Sequence, residues 1–350
     1  MRIGVLGLGF MGSTHLQALV RIPGVEVAAV MSRNEKRLAG DMSDIQGNLG
    51  IPGARIDLSG ARKYRKWESM IADRELDAID ICLPTNLHEP VATAALSAGR
   101  DVLVEKPMAL GGASAARMID AAERNSRVLM VAHVLRFMPP YRELIALVRS
   151  GRLGRVRSAL FRRRTAVPTW GAWEFDSAQS GGGVFDLLIH DVDIALELFG
   201  VPSNIASTGY ENMRGGVDVI TSHFDVPGAD SLTITGGWHH VGDYPFSMEY
   251  TILADNGAVE FSSAGRPAAV YWKDGTHEVL PAADADPYQA EITYFLECCR
   301  TRRRPALCPA DASARAVAVA RRMVDARAFS STSPRSSDIL RPTNGEREDP

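Results

Sequence analysis

An apolar run, Ile3–Leu8, passes into Gly7-Leu8-Gly9-Phe10-Met11-Gly12 and then into a helical pattern over about 12–22. In that setting the first glycine makes a tight turn, the second lets backbone approach a pyrophosphate, and the third lets helix pack on strand. The helix start supplies free N–H groups and a partial positive charge for phosphates. Gly7, Gly9, Phe10, Met11 and Gly12 are therefore read as a dinucleotide-binding turn, and a second strand, Val25–Met31, follows in the order such a unit requires.

Further apolar runs at Ala78–Leu83, Val102–Val104 and Val128–Ala132 alternate with helical patterns at about 34–42, 66–73, 87–98 and 112–125. Strands that are apolar almost throughout are buried on both faces, as in a parallel sheet covered by helices. Ser43–Arg62, glycine-rich and with one proline, reads as a long loop. Beyond a helix near Pro140–Arg149 the rhythm changes. Strands are expected at 155–165, 203–210, 217–226, 231–238, 247–254, 258–262 and 268–272, with one helix at about 184–199 among them. Short turns between them predict an antiparallel or mixed sheet with little helical cover. Helices at 287–300 and 310–328 close the fold. The reading divides the 350 residues into units 1–133 and 134–330 and a polar tail 331–350. An uncovered sheet face predicts a homodimer or homotetramer.

A formal net charge of −3 gives no field for a polyanion, and the basic runs Arg162–Arg164 and Arg302–Arg304 are too short to create one. Nucleic acid and acidic membrane are not expected as partners. Cys82, Cys298, Cys299 and Cys308 lack metal-ligand spacing, so no metal is expected and a reducing cytoplasm fits best. No run of eighteen apolar residues occurs, and Gly7 and Gly9 interrupt the one apolar start that resembles a signal segment, so neither export nor membrane insertion is expected. Only five of the 39 basic residues are lysines: Lys36, Lys63, Lys66, Lys106 and Lys273. A lysine in an apolar setting here is a candidate for chemistry that arginine does not perform.

A carboxylate at the end of the second strand would grip the ribose 2′-hydroxyl of NAD. Ser32 and Arg33 stand there instead, with no acid before Glu35. This favours the 2′-phosphate of NADP, with NAD as the alternative. Ligands gather outside the carboxyl ends of strands in an open α/β sheet. Pro84, Thr85, Asn86 and His88 follow one strand, and Glu105 and Lys106 follow the next, at the same edge as the glycine turn. In Gly181–Asp193, the residues Asp186, His190 and Asp193 are spaced i, i+4 and i+7, on one face of a regular helix. An imidazole flanked by carboxylates has a raised pKa and one held tautomer, suited to taking a hydroxyl proton. Trp170 and Trp173 are candidates for stacking on substrate, or for core or lid. His240, at a strand end, is a further pocket candidate. Arg136 meets either ligand or a structural ion pair, and His15 reads as a packing residue.

The glycine turn, Thr85-Asn86-Leu87-His88, Glu105-Lys106-Pro107 and the Gly-Gly-x-x-x-Asp-x-x-x-His helix, in this order, resemble the glucose-fructose oxidoreductase/inositol dehydrogenase/rhizopine catabolism (Gfo/Idh/MocA) family over about residues 1–330. The resemblance implies an α/β fold: an N-terminal Rossmann dinucleotide-binding domain and a C-terminal α/β domain with a large open, mostly antiparallel sheet. It also implies an NAD(P)-dependent oxidoreductase acting on a sugar or cyclitol hydroxyl. By the family pattern Lys106 belongs to the catalytic centre, His190 is the acid/base and Asp186 its partner beside the substrate. The peptide before Pro107 is cis in many relatives. Lys106 and His190 are interchangeable as proton acceptor at this level. Two other readings stay open: a redox-sensing nucleotide-binding regulator, and an NAD-dependent glycosidase on the same fold.

Overall fold

The computed structural model describes residues 1–45, 47, 52–168, 173–282 and 285–332. Its first sheet has strands β1 (Arg2–Leu6), β2 (Glu26–Met31), β3 (Arg62–Tyr64), β4 (Ala78–Ile81), β5 (Asp101–Glu105) and β6 (Leu129–Ala132). Their order is β3-β2-β1-β4-β5-β6, and every pairing is parallel. This doubly wound order reverses beside β1, where the glycine turn leaves the sheet. β3 falls where the sequence reads as the end of a loop. Three residues, Arg-Lys-Tyr, carry no apolar run, and an edge strand needs only β2 as neighbour.

Short helices α2 (Glu35–Leu38) and α3 (Trp67–Ile71), with α1 (Phe10–Leu19), α4 (His88–Ser97) and α5 (Gly112–Arg124), connect these strands. α6 (Pro139–Arg149) leads to the second sheet: β7 (Val156–Ala166), β8 (Asn204–Asn212), β9 (Val217–Val226), β10 (Ala229–His239), β11 (Ser247–Ala254), β12 (Gly257–Ser262), β13 (Arg266–Trp272) and β14 (His277–Val279). Its order is β14-β13-β12-β11-β7-β10-β9-β8, antiparallel except for β7 beside β10. The fold is thus the α/β pair of a Rossmann-type sheet and a large, mostly antiparallel one. The three-residue edge strand β14 is absent from the sequence reading, for the same reason as β3.

Between β7 and β8 lie α7 (Ser177–Ser180), a π turn (Val184–Leu188) and α8 (Ile189–Phe199). The expected single regular helix over 184–199 is therefore broken at its start. α9 (Pro287–Thr301) returns to the first sheet, where Tyr288, Ile292 and Phe295 join Ile3, Val5, Leu16 and Leu103 in one core cluster. α10 (Ala310–Thr332) packs on α5, α8 and β8. Of the expected tail 331–350, Ser331 and Thr332 finish this helix, and the remainder lies outside the described residues, as does Trp170. Among the described residues no helix is long and apolar enough to cross a membrane, and the four cysteines are free thiols.

Candidate active site

A cavity of about 1160 Å³ runs along the carboxyl edge of the first sheet and up to the second. Gly7, Gly9, Phe10 and Met11 wall one end, with Pro84 and Thr85 beside them. Gly7 has φ +92°, and a Cβ there would stand 2.3 Å from the Cys82 carbonyl oxygen; one on Gly12 would stand 1.9 Å from that of Gly7. Nothing lies within 4 Å of the Cβ position of Gly9. Two glycines thus close the turn and the third leaves an open approach to the start of α1, the cradle a dinucleotide pyrophosphate needs. Gly12 serves packing and does not line the cavity.

β5 delivers Glu105 and Lys106 to the cavity, and the Lys106–Pro107 peptide is cis. From the other side come Asp186, on the π turn, and His190, on α8. Lys106 Nζ donates to the Asp186 backbone carbonyl and stands 3.2 Å from its Oδ1. Three expected catalytic residues therefore share one wall, with different partners from those expected. A π turn puts an extra residue into its hydrogen-bonded ring, and Asp186 is bonded to Lys106, not to His190. His190 Nδ1 is buried with no hydrogen-bond partner. Burial, then the nearby Lys106, Arg163 and His133, push the imidazole well below its ordinary pKa, not above it.

Asp193 also leaves the expected constellation. It takes Arg136 Nε at 2.7 Å and Nη2 at 2.8 Å in a buried bidentate pair, so Arg136 serves structure. His88 is a brace and does not line the cavity: its ring nitrogens each lie 2.8 Å from a carbonyl oxygen, of Pro107 and of Leu83. Asn86 is exposed outside the cavity, and so is His240, one residue past β10. Ser32 and Arg33 follow β2 outside the lining; Ser32 Oγ accepts from the Asn34 N–H at 3.1 Å. Trp173 does line the cavity.

Several lining residues escaped the sequence reading. Arg163, inward-facing on β7, is held by Asp191 at 2.7 and 3.0 Å. A charged residue between buried Phe161 and Thr165 at period two was the available signal. Glu174 lines the cavity with both carboxyl oxygens buried and unpartnered, and burial, with Asp186 nearby, pushes it up to about 7. His15 is no simple packing residue: its Nδ1 lies 2.9 Å from Asp80 Oδ2 and its Nε2 3.0 Å from Glu105 Oε1. Cys82 brings a third ligand-type atom within 4.8 Å of His15 and Asp80, but both imidazole nitrogens already face carboxylates.

Residues 1–133 match the family described as "Oxidoreductase family, NAD-binding Rossmann fold", and residues 141–260 match the "GFO/IDH/MocA C-terminal domain". Inositol 2-dehydrogenase 2 of Saccharopolyspora erythraea is 33% identical over 220 residues, which are 62% of this chain and 59% of that one. The alignment thus spans about three fifths of that relative's length. D-xylose 1-dehydrogenase (NADP(+)) 2 of Haloferax volcanii is 28% identical over 87% of this chain and 91% of its own. Among solved structures, UDP-N-acetylglucosamine 3-dehydrogenase of Acidithiobacillus ferrooxidans superposes with a TM-score of 0.75 at 25% identity, over 93% of this chain and 97% of that one. Levoglucosan dehydrogenase in complex with NADH and levoglucosan gives 0.79 at 19% identity, over 94% and 97%, a likeness of fold.

Proposed function

Since this chain belongs to the GFO/IDH/MocA oxidoreductase family, we propose that it transfers a hydride between a nicotinamide dinucleotide and a secondary hydroxyl of a sugar, sugar derivative or cyclitol. The observation that carries this reading is a single cavity walled at one end by the glycine turn and elsewhere by Lys106, Asp186 and His190. Gly7, Gly9, Phe10, Met11, Pro84 and Thr85 are the residues for the dinucleotide. When bound, the nicotinamide supplies the hydride acceptor or donor.

The chain's own groups handle the proton and the charge. His190, neutral at pH 7, has a free ring lone pair and takes the substrate hydroxyl proton. Lys106, anchored by Asp186, presents its ammonium to the developing alkoxide. Asp186 fixes the lysine and offers a carboxylate to a neighbouring hydroxyl. With Ser32 and Arg33 at the end of β2 and no carboxylate there, we read NADP as the preferred cofactor, with NAD as the alternative. The same reading takes residues 1–133 as the cofactor unit and 134–330 as the substrate unit, in a cytoplasmic enzyme. Homodimers or homotetramers would form through the helix-free face of the second sheet, which exposes Leu160, Tyr210 and Leu253.

Screening sugars, sugar acids and inositols for a change in absorbance at 340 nm with NADP+ and NAD+ tests the reading. Accumulation of reduced cofactor with a polyol supports it. A retained cofactor with glycoside cleavage and no net reduction would point to the glycosidase reading; cofactor binding without turnover of any of these classes would point to a sensor.

A further inference from the structure

His15 lies on α1, six residues after Gly9, and is completely buried. Its two ring nitrogens face two carboxylates, Asp80 Oδ2 at 2.9 Å with hydrogen-bond geometry and Glu105 Oε1 at 3.0 Å as an ion pair. A neutral imidazole has one N–H and one lone pair, so one of these carboxylates would face a lone pair in a buried setting. The imidazolium suits both: Nδ1 donates to Asp80, and its charge offsets Glu105, whose Oε1 lies 3.0 Å from Nε2 as an ion pair without hydrogen-bond geometry. Burial opposes that charge, yet the Asp80 carboxylate outweighs it and holds the group well above its ordinary pKa. Glu105 has a second oxygen, Oε2, which accepts from the Lys106 backbone N–H at 3.0 Å.

We propose that His15, as an imidazolium between Asp80 and Glu105, is a positioning residue that ties the phosphate-cradling helix to Lys106 through Glu105. The inference rests on the oxidoreductase reading above for its kinetic part. The chain of contacts runs from β4 through α1 to the end of β5, so the helix that begins at the glycine turn and the backbone that carries Lys106 move as one body. Without the imidazolium, Asp80 and Glu105 become two buried carboxylates without the cation between them, and Glu105 either takes a proton or shifts away from the Lys106 N–H. Either change alters where the ammonium sits relative to the reacting carbon. A misplacement of about 1 Å costs on the order of 10²-fold in rate.

Two measurements test this, and the first is independent of activity. In the wild-type protein labelled with 15N-histidine, the resonance absent from His15→Asn, His15→Gln or whichever of the two folds should show both ring nitrogens protonated at pH 8. A neutral ring at pH 8 overturns the proposal, whatever the enzyme turns over. The second compares His15→Asn, Glu105→Gln and the double variant on the polyol that wild type oxidises. Expected are a roughly hundredfold lower kcat in each single variant, cofactor Kd within about threefold of wild type, and a double variant no worse than the weaker single one. Turnover of His15→Asn within threefold of wild type, additive losses, or a loss confined to Kd would overturn it. Absence of wild-type turnover with every polyol tested would instead count against the oxidoreductase reading and leave the ring-protonation result to decide this one.

Discussion

Lys106 Nζ stands 3.2 Å from Asp186 Oδ1, a contact between residues 80 positions apart. It joins the end of β5 to the π turn before α8, and so joins the two sheets at the cavity. A lysine side chain is flexible and loses rotamer freedom when fixed; the double acceptor at Asp186 fixes this one before any ligand arrives. Lys106→Ala removes the cation that faces the developing alkoxide. We expect kcat to fall by about 10²-fold or more, as when one preorganised donor is removed from a reacting oxyanion. Cofactor titration should show near-wild-type affinity. Asp186→Asn keeps the backbone acceptor and should cost less than Lys106→Ala; the reverse ranking would show that the carboxylate itself does the essential chemistry.

For His190, burial and three nearby cationic or imidazole groups favour the neutral ring. The neutral form is the proton acceptor, so activity lost to its protonation appears only well below pH 6.5. In the oxidative direction, the His190-dependent acid limb of kcat/KM should therefore lie under pH 6.5, with no further His190 titration from there to pH 8. His190→Asn should lower kcat by about 10²–10⁴-fold. An acid limb centred above pH 7 that disappears in His190→Asn would contradict this.

How much of this was legible in the sequence differs between its parts. The glycine turn and the strand-end positions of Lys106, Pro84 and Thr85 follow from local pattern, because apolar runs set the sheet and the sheet's edge sets the site. The partner of Asp186 was not legible, because the i, i+4, i+7 argument assumes a regular helix and a π turn covers Val184–Leu188, and that of Asp193, on the regular α8, lies 57 positions away at Arg136. β3 and β14, three residues each at sheet edges, carry too little apolar signal to be read. His15 and Glu174 depend on neighbours distant in sequence, Asp80 and Glu105 for the first and the cavity wall for the second.

Asp193, once grouped with the catalytic face, instead neutralises buried Arg136 through two hydrogen bonds. Removing one partner of a buried pair costs up to about 3–5 kcal/mol, and Glu197 Oε2, 3.0 Å from Arg136 Nη1, compensates part of the charge left behind. Asp193→Ala should lower unfolding free energy in urea titrations by about 1–3 kcal/mol, the cost of a buried group left without one of its hydrogen-bond partners. The folded fraction should keep its affinity for the dinucleotide, since Asp193 does not line the cavity.

Cofactor preference gives a direct test of Arg33. A guanidinium bonded to a phosphate contributes about 1.5–3 kcal/mol, so Arg33→Ala should lower kcat/KM for NADP+ roughly tenfold or more and leave NAD+ nearly unchanged. A variant with an unaltered NADP+/NAD+ ratio would remove Arg33 from the cofactor site.

Glu174 supplies a test by stability alone. Its side chain is only 2% exposed, both oxygens lack partners, and burial raises it to about 7 from an ordinary 4.5. The folded protein therefore holds this proton more tightly than the unfolded chain does. The resulting contribution is full below pH 4.5 and is lost as pH rises through 7, by about 3 kcal/mol for a shift of this size. Glu174→Gln keeps the shape and has nothing to ionise. Subtracting wild-type from variant unfolding free energies at each pH cancels the other titrating groups, including buried Glu291, which is raised in the same direction. That difference should grow in the variant's favour by about 3 kcal/mol between pH 4.5 and pH 8. A flat difference would mean that the Glu174 carboxylate is stabilised by a donor in solution and titrates like an ordinary glutamate.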